Sequence, residues 1–312
     1  MLQNMRKAVD EVIIGKSHVT EMLQTALLCG GHVLLEDVPG TGKTKLAKSF
    51  SRLINGSFRR IQFTPDLMPT DVTGFHYFNQ KTAEFELREG PVMTNILLAD
   101  EINRATPRSQ ASLLEVMEEN QVTIDGSALK LPEPFMVMAT QNPVEYRQGN
   151  FPLPEAQLDR FLLTVKMGYP AFEEERKMIQ TYKHEREKEI TAPVSTIDQI
   201  KKMKKEVEQV SVNEPTETYI LQLVEATRMS PDVTAGVSPR GTLALMKAGQ
   251  ALAYIRGKTF VSPEEIKSLA PNVLSHRLVL TLEGSMKKTK ISVIEQVLHD
   301  IPVPVEEGFE TQ

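Results

Sequence analysis

The sequence predicts an α/β domain, built on a parallel sheet with helices on both faces, followed by a smaller all-α domain. Short apolar runs alternate with segments of helical spacing through the first 170 residues, and such runs are typical of strands buried on both faces. Beyond that point the chain is highly charged, its apolar residues keep helical spacing, and no pair of strands is expected. The predicted domains are therefore residues 1–170 and residues 171–312.

The elements of the first domain follow one another in a regular order. A helix is predicted over Ser17–Leu28, and another in the segment KLAKSFSRLI. Two segments, YFNQKTAEFELREG and NQVTIDGSALKLPEP, predict hairpins, the second with an Asp-Gly turn. Five apolar runs predict the strands of the sheet: His32–Leu35, Phe58–Phe63, Asn95–Ala99, Phe135–Ala139 and Leu162–Met167.

Composition narrows the classes of function. The formal net charge of −5 disfavours nucleic acid as the default partner. The single cysteine, Cys29, cannot form an intrachain disulfide and favours a reducing compartment. No apolar stretch approaches the roughly 18 residues that cross a bilayer, and the N-terminus lacks the apolar core of a signal peptide. A cytoplasmic protein without membrane insertion is expected.

The loop DVPGTGKT, residues 37–44, is called the phosphate loop below. Its end, Gly42-Lys43-Thr44, matches the pattern G-x-x-x-x-G-K-[ST], although Asp37 stands at the first glycine position. Gly40 and Gly42 allow successive backbone N–H groups to turn toward an anion, and the following helix presents its N-terminus to phosphate. Lys43 can reach the outer phosphates, and the Thr44 hydroxyl can bind Mg²⁺. ATP and Mg²⁺ are the expected ligands.

A second motif, NILLADE, ends an apolar strand in two carboxylates. In a parallel sheet, Asp100 and Glu101 would lie at the carboxyl edge beside the phosphate loop. Asp100 can hold the hydration shell of Mg²⁺, and Glu101 can polarise a water for in-line attack on the γ-phosphate. Small-molecule kinases share the loop but transfer phosphate to a substrate, so the Asp-Glu pair favours ATP hydrolysis.

Taken together, DVPGTGKT and LLADEINRATPRSQASLLEVMEE resemble the MoxR family of AAA+ ATPases, and the resemblance covers almost the whole chain. VIIGKSHV resembles the family's adenine-side segment, with Lys16 where glutamine is commoner. MATQNPVE resembles its sensor-1 strand, LPEAQLDRF its arginine-finger segment and GVSPRG the start of its sensor-2 helix. The resemblance implies a P-loop AAA+ core with helix-2 and pre-sensor-1 hairpin inserts, and an α-helical lid.

The resemblance also implies a role for each matching residue. Asn142 would orient the attacking water, Arg160 would act on the nucleotide of a neighbouring subunit, and Arg240 would reach the nucleotide from the lid. The implied catalytic residues are Glu101, Asn142, Arg160 and Arg240. The implied nucleotide-binding residues are Ile14, Gly15, Pro39, Gly40, Thr41, Gly42, Lys43, Thr44 and Asp100, of which Thr44 and Asp100 would hold the metal.

An active site shared between subunits implies a ring, and most such ATPases are hexamers. The resemblance implies a chaperone-like ATPase that remodels or matures partner proteins, especially those with a von Willebrand factor A domain. His76, Tyr77 and Phe78 of the first hairpin are candidate client contacts, with packing of that hairpin against the sheet as an equal alternative. Three other functions stay open: a DNA-directed AAA+ ATPase, a magnesium-chelatase-like motor subunit, and a nucleotide-gated binding module with little hydrolysis.

Overall fold

A computed structural model describes residues 2–36, 40–141, 150–184, 190 and 192–304. The chain forms two compact units, Met1–Lys205 and Glu206–Gln312. The strands of the first unit's main sheet are β1 (Val33–Glu36), β2 (Phe58–Gln62), β5 (Ile96–Asp100), β8 (Met136–Gln141) and β9 (Leu163–Lys166). All neighbours pair in parallel, in the order β2-β5-β8-β1-β9. The five predicted strands and the parallel α/β fold class are confirmed.

Helices surround this sheet. The sheet needs cover on both faces because successive side chains of a strand point to opposite faces, and Val33, Leu34 and Leu35 of β1 are all completely buried. The helices of the first unit are α1 (Leu2–Val12), α2 (Ser17–Cys29), α3 (Lys43–Leu53), α4 (Pro69–Thr73), α5 (Pro107–Glu119), α6 (Glu155–Leu158), α7 (Phe172–His184) and α8 (Ile197–Val207), the last of which runs into the second unit. Among the described residues, no helix is long and apolar enough to cross a membrane.

Both predicted hairpins are present. They are formed by β3 (Gly74–Asn79) with β4 (Glu84–Glu89), and by β6 (Gln121–Ile124) with β7 (Ser127–Lys130). Asp125 and Gly126 both have positive φ, +48° and +83°, as a two-residue hairpin turn that follows the strand twist requires.

The two hairpins differ in how they are anchored. Val122 and Ile124 bury the second hairpin in the core, whereas Phe78 and Phe85 of the first are 52% and 73% exposed. A contact between His76 Nδ1 and Asp125 Oδ2, at 2.7 Å, joins the two hairpins. The outer part of the first hairpin therefore presents aromatic rings to solvent instead of packing them on the sheet.

The second unit is mainly helical. Its helices are α9 (Glu214–Met229), α10 (Pro239–Ile255), α11 (Pro263–Leu274), α12 (Leu282–Lys287) and α13 (Lys290–Asp300). Two small ladders also occur: β10 (Ser211–Val212) pairs in parallel with β12 (Phe260–Val261), and β11 (Val233–Ala235) pairs in antiparallel fashion with β13 (Val279–Leu280). The prediction of no strand pair in this region is therefore wrong. Strands of two or three residues are too short for a period-2 pattern to be recognised.

The division between the compact units lies between Lys205 and Glu206, whereas the predicted domain boundary lies between residues 170 and 171. A pair of hydrogen bonds explains why the chain ahead of α8 stays with the first unit. The backbone N–H groups of Val194 and Ser195 both donate to the carbonyl oxygen of Leu53, each at 2.9 Å, at the end of α3.

Glu265, in the first turn of α11, is a completely buried carboxylate. It accepts hydrogen bonds from Lys258 Nζ at 2.9 Å, from Arg256 Nη1 at 3.1 Å and from the Ser262 backbone at 3.1 Å. Burial raises the pKa of the Glu265 carboxyl, but the hydrogen bonds from Ser262, Lys258 and Arg256 outweigh it, so the pKa lies below its ordinary value. A depressed pKa in the folded state means that the carboxylate stabilises the fold above its unfolded pKa, and that this contribution is lost as pH falls through the folded pKa.

We expect Glu265→Gln to lower the free energy of unfolding of the second unit by about 1–3 kcal/mol at neutral pH, because the amide cannot accept charge-assisted bonds from two cations. The deficit should shrink as pH falls below the ordinary range of a glutamate carboxyl and toward the lowered pKa of folded Glu265, because the wild-type carboxyl then gains a proton of its own. Thermal unfolding of wild type and Glu265→Gln, from neutral to acidic pH, measures this difference in stability. The neighbouring Glu264, 82% exposed, gives the matched control Glu264→Gln, and equal losses in the two variants would contradict the prediction.

Candidate active site

The carboxyl ends of the five parallel strands meet at one edge of the main sheet, and the predicted motifs gather there. The phosphate loop follows β1, Asp100 ends β5, and β8 lies between these two strands. The register aligns Leu35 with Thr140 and Gln62 with Asp100 across the sheet. Pro39 and Asn142 lie outside the described residues, and their predicted roles are untested.

The described part of the phosphate loop has the backbone that a phosphate cradle needs. Gly40 and Gly42 each have φ of +86°, and among the described residues, chain neighbours aside, no atom lies within 4 Å of where a Cβ would stand on either residue. Gly42 is the N-cap of α3, and Lys43 and Thr44 form the first turn of this helix, directly after Thr41. Left-handed glycines before a helix N-terminus let backbone N–H groups converge on an anion.

The predicted adenine-side residues, Ile14 and Gly15, lie between α1 and α2. The Lys16 ammonium, which is almost completely buried, donates to the backbone carbonyl oxygens of residues 167 and 168, at 2.5 and 2.9 Å. Gly15 has φ of +77°, and a side chain at this position would collide with the carboxylate of Glu174. Because residues 167 and 168 follow β9, the segment is tied to the same edge of the sheet as the phosphate loop.

Asp100 is held on both sides of its carboxylate. Its Oδ2 accepts from Arg60 Nη2 at 2.6 Å and from Arg60 Nε at 3.2 Å. Its Oδ1 accepts from the Thr140 hydroxyl at 2.6 Å. The Asp100 side chain is 14% exposed and that of Arg60 is 44% exposed, so the ion pair lies at the border of solvent, where such pairs contribute little to stability.

Glu101 has an unusual backbone and a fixed side chain. Its φ and ψ of 56° and 50° are left-handed, a conformation that costs a residue with a side chain roughly 1–2 kcal/mol. Its backbone N–H donates to the Thr140 hydroxyl at 2.8 Å. Its Oε2 accepts from Gln62 Nε2 at 2.7 Å and from Arg104 Nη1 at 2.9 Å. Both of these bonds reach Oε2, and Oε1 accepts none from the described residues.

Four residues of this site were not predicted from the sequence: Arg60, Gln62, Arg104 and Thr140. A weak signal existed for Arg60 and Gln62, since they alternate on one face of β2, and for Arg104, which lies one turn beyond Glu101. Thr140 is the one polar residue before the last position of β8. What the sequence did not provide is the register that brings β2 and β8 to either side of β5.

Arg160 lies at the opposite, amino edge of the sheet. It comes just before β9, where the Leu162 N–H donates to the His32 carbonyl at 2.9 Å, ahead of β1. A strand of four residues spans about 13 Å, which separates Arg160 from the phosphate loop of its own chain. Arg160 Nε donates to Glu118 Oε2 at 2.8 Å, at the end of α5. The structure thus does not bring Arg160 to residues 40–44, the described part of its own chain's phosphate loop.

Arg240 belongs to the second unit, in the first turn of α10, and its side chain is exposed. Ser238 caps this helix and accepts from the Gly241 N–H at 3.3 Å. A contact of Arg240 with nucleotide stays a prediction.

Comparison with known proteins agrees with this geometry. Residues 32–163 match the ATPase family associated with various cellular activities (AAA), and residues 225–297 match the AAA lid domain. A crystal structure from Cytophaga hutchinsonii, provisionally described as an ATPase, superposes with a TM-score of 0.88 at 33% identity and covers 97% of both chains. The fold, the phosphate loop and the paired carboxylates define an AAA+ ATPase with a helical lid.

Similar sequences narrow the class. Chaperone MoxR1 of Mycobacterium tuberculosis is 41% identical over 95% of this chain and 80% of its own length. The uncharacterized protein YeaC of Bacillus subtilis is 46% identical over 96% of this chain and 93% of its own length. Protein MoxR of Methylorubrum extorquens is 29% identical over 96% of this chain and 94% of its own length. The chain belongs to the MoxR family of AAA+ ATPases.

Proposed function

We propose that this protein binds ATP with Mg²⁺, hydrolyses the γ-phosphate bond and uses the free energy to remodel or mature partner proteins. One observation carries the hydrolytic part. Glu101 is fixed at the carboxyl edge through Oε2, by Gln62 and Arg104, while Oε1 accepts no bond from the described residues. A carboxylate held in this way can accept a proton from a water at its second oxygen.

The residues present fit a magnesium ion. The Thr44 hydroxyl and the Asp100 carboxylate offer the hard oxygen ligands that Mg²⁺ prefers. A carboxylate has about four acceptor positions, and three hydrogen bonds from Arg60 and Thr140 reach Asp100, so a further interaction can be added. When bound, the ion would neutralise charge that develops on the phosphate oxygens.

The chain's own residues bind the phosphates, accept the proton and orient the attacking water. Backbone N–H groups at Gly40 and Gly42 bind the phosphates, and Lys43 contributes a positive charge near the outer ones. Glu101 takes the proton of the attacking water at Oε1. Asn142 orients that water, and Ile14 and Gly15 lie on the base side of the nucleotide, as the family resemblance implies.

We further propose a homo-hexameric ring in which Arg160 serves the neighbouring subunit and Arg240 acts from the lid. The position of Arg160 supports this proposal, because about 13 Å of sheet separates it from the phosphate loop of its own chain. A guanidinium suits transition-state charge, since it stays protonated and bonds phosphate oxygens in a fixed fork. Glu118 holds Arg160 within its own chain, so the neighbour's nucleotide would replace that partner.

The partner proteins are proposed on the name of a relative, Chaperone MoxR1, together with the family resemblance. Proteins with a von Willebrand factor A domain in the cytoplasm are the proposed clients, and no nucleic acid is expected. The exposed Tyr77 and Phe78 of the first hairpin are proposed client contacts, at 41% and 52% exposure. His76 instead faces Asp125, which gives it a role in placing that hairpin.

Nucleotide binding and hydrolysis test the proposal together. We expect wild-type protein to release phosphate from ATP when Mg²⁺ is present, and Lys43→Ala to raise the Kd for ATP by at least about tenfold, because a charge-assisted contact to phosphate is lost. Titration with a fluorescent ATP analogue measures the Kd. Lys201→Ala, on the exposed side of α8, is the matched control and should bind like wild type.

The outcomes separate the possible functions. Wild-type protein that binds no ATP would overturn the proposal. Tight binding without phosphate release, at every protein concentration tested, would favour a nucleotide-gated binding module instead.

A further inference from the structure

Thr140 occupies a central position at the carboxyl edge. It is the penultimate residue of β8, and its side chain is 1% exposed. β8 lies between β5, which ends in Asp100, and β1, which leads into the phosphate loop. A buried threonine near the end of an otherwise apolar strand (MVMATQ) needs hydrogen-bond partners for its hydroxyl.

The Thr140 hydroxyl has two partners, the predicted metal ligand Asp100 and the predicted catalytic residue Glu101. It donates to Asp100 Oδ1 at 2.6 Å and accepts from the Glu101 backbone N–H at 2.8 Å. One donor and one accepted bond are what a single hydroxyl readily provides. By contrast, Arg60 contacts Asp100, whereas Gln62 and Arg104 contact Glu101.

The hydrogen bond from the Glu101 N–H to the Thr140 hydroxyl affects the direction of the Glu101 side chain. The left-handed φ of 56° is unfavourable for a residue with a Cβ, so neighbouring contacts must hold it. If the N–H loses the Thr140 oxygen, the backbone can return to a commoner conformation. The Cα–Cβ direction then changes, and the carboxylate moves away from Gln62 and Arg104.

We propose that Thr140 is a positioning residue that sets both carboxylates at once: Asp100 through its Oδ1, and Glu101 through its backbone. This role rests on the proposed ATP hydrolysis. In this role Thr140 does not itself contact the phosphate or the attacking water. It acts through the metal ligand Asp100 and through the general base Glu101. Loss of its hydroxyl should therefore affect the metal dependence and the chemical step together.

Thr140→Val tests the proposal, because valine keeps the shape and removes the hydroxyl. We expect kcat for ATP hydrolysis to fall by about ten- to a hundredfold, as for other outer partners of metal ligands, with KM changed less than about threefold. The Mg²⁺ concentration that gives half-maximal rate should rise. Thr140→Ser, which restores the hydroxyl, should recover most of the lost rate. Thr25→Val, at a buried threonine of α2 that bonds the Glu21 carbonyl, is the control for removing a buried hydroxyl elsewhere.

A second readout uses the nucleotide-free protein. The Glu101 amide should exchange its hydrogen faster in Thr140→Val than in wild type, by roughly tenfold, and at the wild-type rate in Thr140→Ser. The amides of β1 should exchange alike in all three proteins, which shows that the variant is folded. A general loss of packing would speed exchange in β1 as well, so faster exchange at Glu101 alone reports the loss of the Thr140 hydroxyl.

Three results would contradict the proposed role of Thr140. A Thr140→Val variant with wild-type kcat and wild-type Mg²⁺ dependence would overturn the role of Thr140 while leaving ATP hydrolysis intact. Loss of rate in both Thr140→Val and Thr140→Ser, with unchanged exchange at Glu101, would overturn it as well. A wild-type protein without turnover would overturn the proposed function and, with it, this role.

Discussion

Glu101→Gln will reduce the rate of ATP hydrolysis by roughly a hundred- to a thousandfold, whereas ATP will still bind. The amide keeps the size of the side chain and can still accept from Gln62 and Arg104, but it cannot take a proton from water. General-base catalysis contributes about 10²–10⁴ to such reactions, which sets the expected loss. The phosphate loop is untouched, so the Kd for ATP should change by less than about threefold.

Phosphate release and fluorescent-nucleotide titration measure the two parts of this expectation. Glu115→Gln, on the exposed side of α5, removes the same charge and should turn over ATP like wild type. The mass of Glu101→Gln with ATP reports on assembly, because a variant that cannot hydrolyse should accumulate as a nucleotide-bound ring. Turnover at the wild-type rate in Glu101→Gln would remove Glu101 from the role of base, and a monomer with bound ATP would contradict the ring.

His32→Ala will destabilise the first unit by about 3 kcal/mol or more. His32 precedes β1 and is 4% exposed. Its Nδ1 accepts from the Val137 N–H at 3.0 Å, so Nε2 carries the proton and donates to the Met117 carbonyl, also at 3.0 Å. The ring also meets the edge of Phe135 at 5.6 Å between centroids. Alanine leaves two buried backbone groups without this partner, each at a cost of about 1–3 kcal/mol, and leaves a cavity besides.

Hydrogen exchange of the β1 and β8 amides measures this loss within the first unit, separately from the second. His18→Ala, on an exposed position of α2, is the matched control and should change stability by less than about 0.5 kcal/mol. A loss below about 1 kcal/mol for His32→Ala would show that water or neighbouring groups replace both hydrogen bonds.

Much of the fold could be predicted because its elements carry strong local signals. Asn95–Ala99 is an apolar run bounded by polar residues, and β5 occupies almost the same residues, Ile96–Asp100. The Asp125-Gly126 dipeptide, within a strand-like segment, predicted the second hairpin, and both residues have the positive φ that such a turn needs. The ladders of the second unit were missed because two or three paired residues, as in β10 and β12, leave no periodic trace in the sequence.

The candidate site could be predicted in part, for a different reason. Motifs such as GKT and DE are local, so the sequence alone predicts roles for Lys43, Thr44, Asp100 and Glu101. Their supports are not local: Thr140 is 40 residues from Asp100 in sequence and 2.6 Å away in space. Contacts of this kind depend on strand register, which a single sequence does not reveal.

The helix α5 has a mechanical consequence. It begins at Pro107, three residues after Arg104, which holds Glu101, and its penultimate residue is Glu118, which holds Arg160. Its 13 residues form a rigid rod about 20 Å long that joins the chain's own hydrolytic residues to the arginine proposed to serve its neighbour. If α5 pivots by about 5° when the Glu101 end rearranges, its far end travels almost 2 Å. In a ring, this movement would displace the Arg160 guanidinium, so that the nucleotide state of one subunit would affect hydrolysis in the next.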